Sequence, residues 1–135
     1  MREAFVSSTE DAFRQEIVVG GHHLTGDEPV EAGGTDAGPS PHELLLAALG
    51  SCTSMTVRAY ARRKGWDLRH VEVRITGERV GEVFQMHRRI QLEGTLDAEQ
   101  RTRLLEIAGR CPVHRTLTGE VQIESALDAP VPDPQ

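Results

Sequence analysis

The stretch Ser40-Pro41-His42-Glu43-Leu44-Leu45-Leu46-Ala47-Ala48-Leu49-Gly50-Ser51-Cys52-Thr53 decides the fold, because it carries the signals of a long helix with a defined start. Ser40 suits the N-cap, and Pro41 suits the first helical position, where its missing N–H leaves nothing unpaired. Glu43 completes an S-x-x-E capping box. Leu45, Ala48, Leu49, Cys52, Met55, Thr56 and Ala59 follow at three- and four-residue spacing and mark one apolar face. Arg58, Arg62, Arg63 and Lys64 place positive charge at the C-terminal end, as the helix dipole favours. Gly65 then supplies a left-handed stop.

Upstream, residues 4–6 and 13–19 read as short strands, with Ser7-Ser8-Thr9-Glu10-Asp11 as the polar turn between them. Gly20-Gly21 makes a second turn, and His22-His23-Leu24-Thr25 a third strand. Residues 26–41 are rich in Gly, Pro and acid without periodicity, and read as a loop. Downstream, Val71, Val73 and Ile75 alternate with Glu72, Arg74 and Thr76. Phe84, Met86, Arg88, Ile90 and Leu92 mark the partner strand, with Gly77 to Val83 as the connection. Asp97 caps a second helix carrying Leu104, Leu105, Ile107 and Ala108, which Gly109 ends. Cys111-Pro112 starts a short third helix by the cap-then-proline pattern. Val121 and Ile123 suggest a last strand. One domain is expected over residues 1–128, with 129–135 a flexible tail. Strands and helices in this order suit an α+β fold with helices on antiparallel sheets. No strand is followed by G-x-G-x-x-G, which argues against a dinucleotide-binding fold.

The chain has 135 residues, 38% of them hydrophobic, and only three Phe, one Tyr and one Trp. So lean a core makes oligomerisation an expectation. Fifteen Lys and Arg against 21 Asp and Glu leave a formal charge of -6, and an acidic chain with no basic stripe argues against nucleic acid. The first eight residues carry no apolar signal region, and no stretch approaches the ~18 apolar residues of a spanning helix. The expected location is the cytoplasm, with no membrane partner. In that compartment two cysteines point to redox chemistry, metal binding or inert packing rather than a permanent staple.

Those two are Cys52 and Cys111. Cys52 falls on the apolar face of the long helix, where a small buried hydrophobe is the plain reading. Cys111, as a helix N-cap, meets free N–H groups, with His114 one turn on; on local grounds it is the better placed thiol for reactivity. Its plain reading is a gap-filler beside Pro112. Cys111-Pro112-Val113-His114 has C-x-x-H spacing, to which His22, His23 and Cys52 could add ligands. Structural zinc sites usually show two such knuckles and here there is at best one, so no metal is expected. Glu43 lies nine residues before Cys52, roughly opposite it at ~100° per residue, whereas His42 lies nearer the Cys52 face. Capping explains Glu43 more simply.

Asp36-Ala37-Gly38-Pro39-Ser40-Pro41-His42-Glu43, continuing through Cys52-Thr53, together with Cys111-Pro112-Val113-His114-Arg115-Thr116-Leu117, strongly resembles the OsmC/Ohr family. The resemblance covers almost the whole chain and is nearest the general OsmC-like branch. It implies an intertwined homodimer of α+β subunits in which antiparallel sheets pack with a long central helix, with two sites at the subunit interface. It also implies thiol-dependent reduction of organic hydroperoxides: Cys52 attacks the peroxide, becomes a sulfenic acid, and Cys111 resolves it as a disulfide. A dithiol, a lipoylated protein in some relatives, then restores the thiols, and no cofactor is required. The peroxidase branch places an arginine in the first hairpin turn and a glutamate directly after the helix-motif proline. Here Ser7 to Asp11 holds no arginine, Arg14 is the nearest substitute, His42 follows Pro41, and Glu43 comes one later. The rival expectation is a non-enzymatic protein that binds a small apolar ligand at the dimer interface, with both thiols inert.

Overall fold

The structure, a computed structural model, describes residues 1–133. In chain order the elements are β1 (Ala4–Ser8), β2 (Gln15–Val19), β3 (His22–Gly26), α1 (Pro41–Lys64), β4 (Asp67–Val80), β5 (Val83–Thr95), α2 (Ala98–Ala108) and α3 (Pro112–Thr118), with one 3-10 turn at Val30–Ala32 inside the stretch expected as a loop. β1, β2 and β3 form one antiparallel sheet and β4 with β5 another. This is the expected α+β architecture, with α1 running its 24 residues beside both β4 and the two later helices.

The capping box forms as the sequence predicts. Glu43 N–H donates to Ser40 Oγ at 3.3 Å, and Ser40 N–H donates to Glu43 Oε1 at 2.8 Å. These bonds from Ser40 hold the Glu43 carboxyl below its ordinary value. Gly65, at φ 70°, ends the helix in the left-handed conformation.

The face that α1 buries differs from the one its spacing marks. Leu49, Thr53, Val57 and Ala61 are buried. Ala48 and Ala59 are exposed, Cys52 is only half-buried, and Met55 is 70% exposed. At ~100° per residue the two stripes lie about 150° apart around the helix. Because α1 is apolar on nearly every side, periodicity alone cannot choose between them. The same composition overturns the expectation that no stretch is apolar enough to span a membrane: α1 meets that test by length and composition. Here its inner stripe packs on the rest of the chain.

The core lies on that inner stripe. Val57 and Ala61 of α1 meet Leu104 and Ala108 of α2, with Trp66, Leu68, Val71, Ile90 and Leu92 packed around them. Arg103 Nε donates to Tyr60 Oη at 3.0 Å, tying α2 to α1.

β4 and β5 pair from Asp67↔Thr95 to Val80↔Val83, with an irregularity between Leu68 and His70. The expected connection from Gly77 to Val83 shrinks to Gly81-Glu82, and Gly77 pairs with Met86 inside the ladder. Gly81 takes φ 63° while Glu82 does not turn positive. That is a type II′ turn, whose twist matches the strands it joins. On β5 the half-buried positions are Phe84, Met86, Arg88, Ile90, Leu92 and Gly94.

The first hairpin also differs from expectation. β1 runs on to Ser8 and β2 starts only at Gln15, in the register Ser8↔Gln15. Thr9 closes the connection by donating Oγ1 to Arg14 O and accepting from Asp11 N, both at 3.2 Å. Arg14 therefore belongs to the hairpin connection and not to the strand.

Val121 and Ile123 form no strand. Residues 119–133 carry no helix or strand, and these two side chains are 57% and 83% exposed. Alternation gives only the capacity to pair, and no strand of either sheet pairs with this segment. The tail expected over 129–135 falls partly on 134–135, outside the described residues.

The loop between β3 and α1 is organised around one buried acid. Asp27 is 2% exposed. Its Oδ2 accepts from Thr35 Oγ1 at 2.7 Å, Ala37 N at 3.0 Å and Thr35 N at 3.2 Å, and its Oδ1 from Glu28 N at 2.7 Å. Thr35 and then Ala37 pull the carboxyl down from 3.8 to about 2. A carboxyl depressed by folding stabilises fully above its unfolded pKa and loses that contribution as pH falls through the folded one. Urea midpoints are therefore expected to drop between those two values. Asp27→Asn should be less stable than the parent at neutral pH, with the gap closing in acid. Equal midpoints at neutral pH would remove Asp27 as the organiser of the loop.

Candidate functional site

A cleft of about 420 Å³ opens where the start of α1, the inner face of β5 and α3 converge. α1 contributes His42, Leu45 and Leu49, β5 contributes Phe84, Met86 and Arg88, and α3 contributes His114 and Leu117. Most of this wall is apolar. The charged group is Arg88, which occupies an inward position on a strand face otherwise built from Phe, Met, Ile and Leu.

Arg88 reaches inward to a chain of polar groups. Its Nη1 donates to Thr53 Oγ1 at 3.0 Å, and its Nη2 lies 3.1 Å from His114 Nδ1. A guanidinium only donates, so His114 Nδ1 accepts and the ring proton of this pair sits on Nε2. Thr53 has one hydroxyl hydrogen, which it gives to Leu49 O at 2.7 Å. Its oxygen is then an acceptor toward both Arg88 and Cys111, whose Sγ is 3.9 Å away. Cys111 S–H is consequently the donor in that contact. The same sulfur accepts from His114 N–H at 3.3 Å, the N-cap bond of α3. Thr53 and Cys111 are both fully buried.

The structure separates the residues singled out from the sequence. Cys111 caps α3 as expected. Cys52 is half-buried and its thiol lies 4.0 Å from Thr56 Oγ1. Both cysteines are free. Cys111, the N-cap of α3, rests on Thr53, the residue directly after Cys52 on α1. His42 packs on Phe84 with ring centroids 5.0 Å apart and so faces the cleft. Glu43 is engaged in the cap. Arg14 pairs with Asp11 at 3.7 Å, and its buried Nε has no hydrogen-bond partner among the described residues. His22 and His23, weighed as co-ligands of Cys111 and His114, sit on β3 opposite Val19 and Val18.

Thr53 and Arg88 are the residues that sequence reasoning did not single out. Arg88 had a signal: a lone charge among alternating apolar residues is placed on the inner face of its strand. Thr53 had none, because a threonine within an apolar helix looks like any other small residue.

The model of the OsmC-like protein family matches residues 34–126. Among solved structures, an OsmC-like protein from Mycoplasma pneumoniae aligns with TM-score 0.78 and 20% identity over 88% of each chain. A putative osmotic stress induced and detoxification response protein from Psychrobacter arcticus aligns with TM-score 0.75 and 22% identity, over 86% of this chain and 88% of that one. An organic hydroperoxide resistance protein OsmC from Legionella pneumophila aligns with TM-score 0.67 and 18% identity, over 88% and 90%. No curated protein sequence matches. The chain belongs to the OsmC-like family.

Thr53→Val keeps the shape of the residue but strands one Arg88 N–H. It should cost ~1–3 kcal/mol in urea unfolding, the typical penalty for an orphaned donor, while Thr53→Ser should recover most of it. An unchanged midpoint in Thr53→Val would mean that Arg88 does not depend on this oxygen. Separately, ¹⁵N-resolved imidazole spectra of the neutral protein should show His114 as the Nε2–H tautomer, and Arg88→Gln should release that preference. An Nδ1–H ring in the parent would contradict the Arg88 pairing.

Proposed function

We propose that this OsmC-like chain is a thiol-dependent peroxidase that reduces organic hydroperoxides, acting in the cytoplasm as a homodimer of single domains spanning residues 1–128. The observation that carries the reading is the arrangement of the two thiols. Cys52 is half-buried on an open face of α1, and Cys111 is enclosed against the very next residue, Thr53. An attacking thiol needs access to peroxide, whereas a resolving thiol is best kept from solvent until a sulfenic acid forms beside it. A relative carrying the organic hydroperoxide resistance name has the same fold.

In this cycle Cys52 sulfur attacks the outer peroxide oxygen. The O–O bond breaks, the alkoxide takes a proton and leaves as alcohol, and Cys52 becomes the sulfenic acid. Cys111 sulfur then attacks Cys52 sulfur, and water leaves with the Cys111 proton. The resulting disulfide is reduced by an external dithiol, which ends as its own disulfide. A second copy of the chain fits the uncovered stripe of Ala48, Cys52, Met55 and Ala59, which would bring two sites to the interface. Arg14 in the hairpin connection, with an unpaired Nε, is the candidate to orient the attacking sulfur across that interface.

One observation favours the non-enzymatic reading. Neither sulfur has a hydrogen bond from a guanidinium or a contact with a carboxylate among the described residues. On that reading the cleft binds a small apolar ligand and the thiols are inert.

Intact mass after stoichiometric cumene hydroperoxide separates the two. Loss of two hydrogens with a Cys52–Cys111 linkage is expected, faster than with hydrogen peroxide. Cys52→Ser should abolish turnover, and Cys111→Ser should complete one turnover and then stall or over-oxidise. Two unreacted thiols, or full activity in Cys52→Ser, would sink the peroxidase.

A further inference from the structure

We propose that the cleft above Arg88 is a receptor for an amphipathic acid: an apolar chain or ring carrying one anionic head, which Arg88 holds. This reading goes beyond the thiol chemistry, since head-group recognition stands whether or not Cys52 reacts.

The first observation is an uncompensated charge. Arg88 is half-buried, yet none of the ion pairs among the described residues involves it. Guanidinium groups taken out of water are normally matched by a carboxylate or another anion, because a lone charge in an apolar setting is costly. Here the two partners are neutral oxygen and nitrogen acceptors, Thr53 and His114. They fix the group in place without neutralising it. Of its five N–H donors, two are taken by these bonds, which leaves three for something else.

The second observation is the space in front of it. The cleft walls are Leu45, Leu49, Phe84, Met86 and Leu117, with histidines at positions 42 and 114. An apolar wall with a fixed cationic group suits a ligand of matching polarity, and about 420 Å³ lies toward the small end of ligand pockets. The overall charge of -6 repels anions in general, so an acid held here must be held locally. The planar guanidinium fork matches a carboxylate or a sulfate ester equally well in charge. The shared feature is a single anionic head on an apolar body.

The third observation is positional rigidity. Arg88 sits inside the β4–β5 ladder, opposite Ile75, and its side chain is anchored on α1 through Thr53 and on α3 through His114. Three elements therefore fix where the head group goes, and such preorganisation keeps the ordering cost of binding low.

Calorimetric titration and thermal shift of the full-length protein with octanoate, octyl sulfate and octanol, without any peroxide, test this. Saturable binding of octanoate or octyl sulfate at least ~10-fold tighter than octanol is expected, the discrimination that a hydrogen bond to a charged group typically supplies. Tighter binding of octanoate than of octyl sulfate would identify the head as a carboxylate, and the reverse as a sulfate ester. Arg88→Gln should abolish the preference for the acid while leaving octanol binding within about twofold. The parent's own acid-to-alcohol ratio keeps the test decisive if that variant unfolds. Octanol as tight as octanoate, no saturable acid binding because a second copy's carboxylate already fills the seat, or an acid preference that survives in folded Arg88→Gln would each overturn the proposal.

Discussion

Helix α1 has more apolar surface than one chain can cover, and the rest of the molecule is arranged around that excess. Its stripe of Leu49, Thr53, Val57 and Ala61 is buried against β4, α2 and α3. The side bearing Ala48, Met55 and Ala59 stands in solvent. Exposed apolar surface gathered on one element marks an interaction face more often than scattered single residues do. A core built from so few aromatic residues would gain by sharing this face with the proposed second copy. Cys52 lies on it, so the proposed second copy, in covering α1, would also set the surroundings of that thiol.

The buried side of α1 carries the opposite constraint: a polar chain that must be satisfied atom by atom. Thr53 spends its one hydrogen on Leu49 O and is left an acceptor. Arg88 and Cys111 become the donors to it, and Arg88 in turn fixes the acceptor face of His114. Each contact in the sequence Arg88–Thr53–Cys111–His114 thereby has a defined donor and acceptor. Polar groups at full burial persist only when matched in this way. What this chain of bonds leaves unmatched is the charge on Arg88 and its remaining N–H donors, which face the cleft proposed as a receptor.

Much of this is legible in the sequence, and the failures have identifiable causes. Helix α1 can be read to the residue because its ends are set by local chemistry: Ser40, Pro41 and Glu43 at the start and Gly65 at the stop. The N-cap role of Cys111 is readable for the same reason. The buried face of α1 is not, since amphipathic periodicity ranks faces only when one of them is polar. The hairpin ends shift because Thr9 and Gly81 set their turns through a side-chain bond and a backbone angle, which the hydrophobic pattern does not register. The strand expected at Val121 and Ile123 fails because alternation describes a capacity to pair and cannot supply the partner edge. The pairing of Arg88 with Thr53, 35 positions apart in sequence, has no local trace.

The position of Cys111 gives the proposed cycle a structural consequence. In that cycle its sulfur, the N-cap acceptor of α3, would also be the resolving group, so moving it toward Cys52 would strain the bond that starts this helix. Capping bonds of good N-cap residues contribute ~0.5–2 kcal/mol, and a sulfur acceptor falls at the weak end of that range. α3 has seven residues and is followed by a segment without regular structure, so it has little else to hold its first turn. Loosening that turn also frees His114, the anchor of one side of Arg88. The proposed cycle would therefore link the two thiols, the short helix and the cationic head of the cleft through one residue. Oxidation at Cys52 would be felt at Arg88 by way of Cys111 and His114, with no large movement of the sheets required.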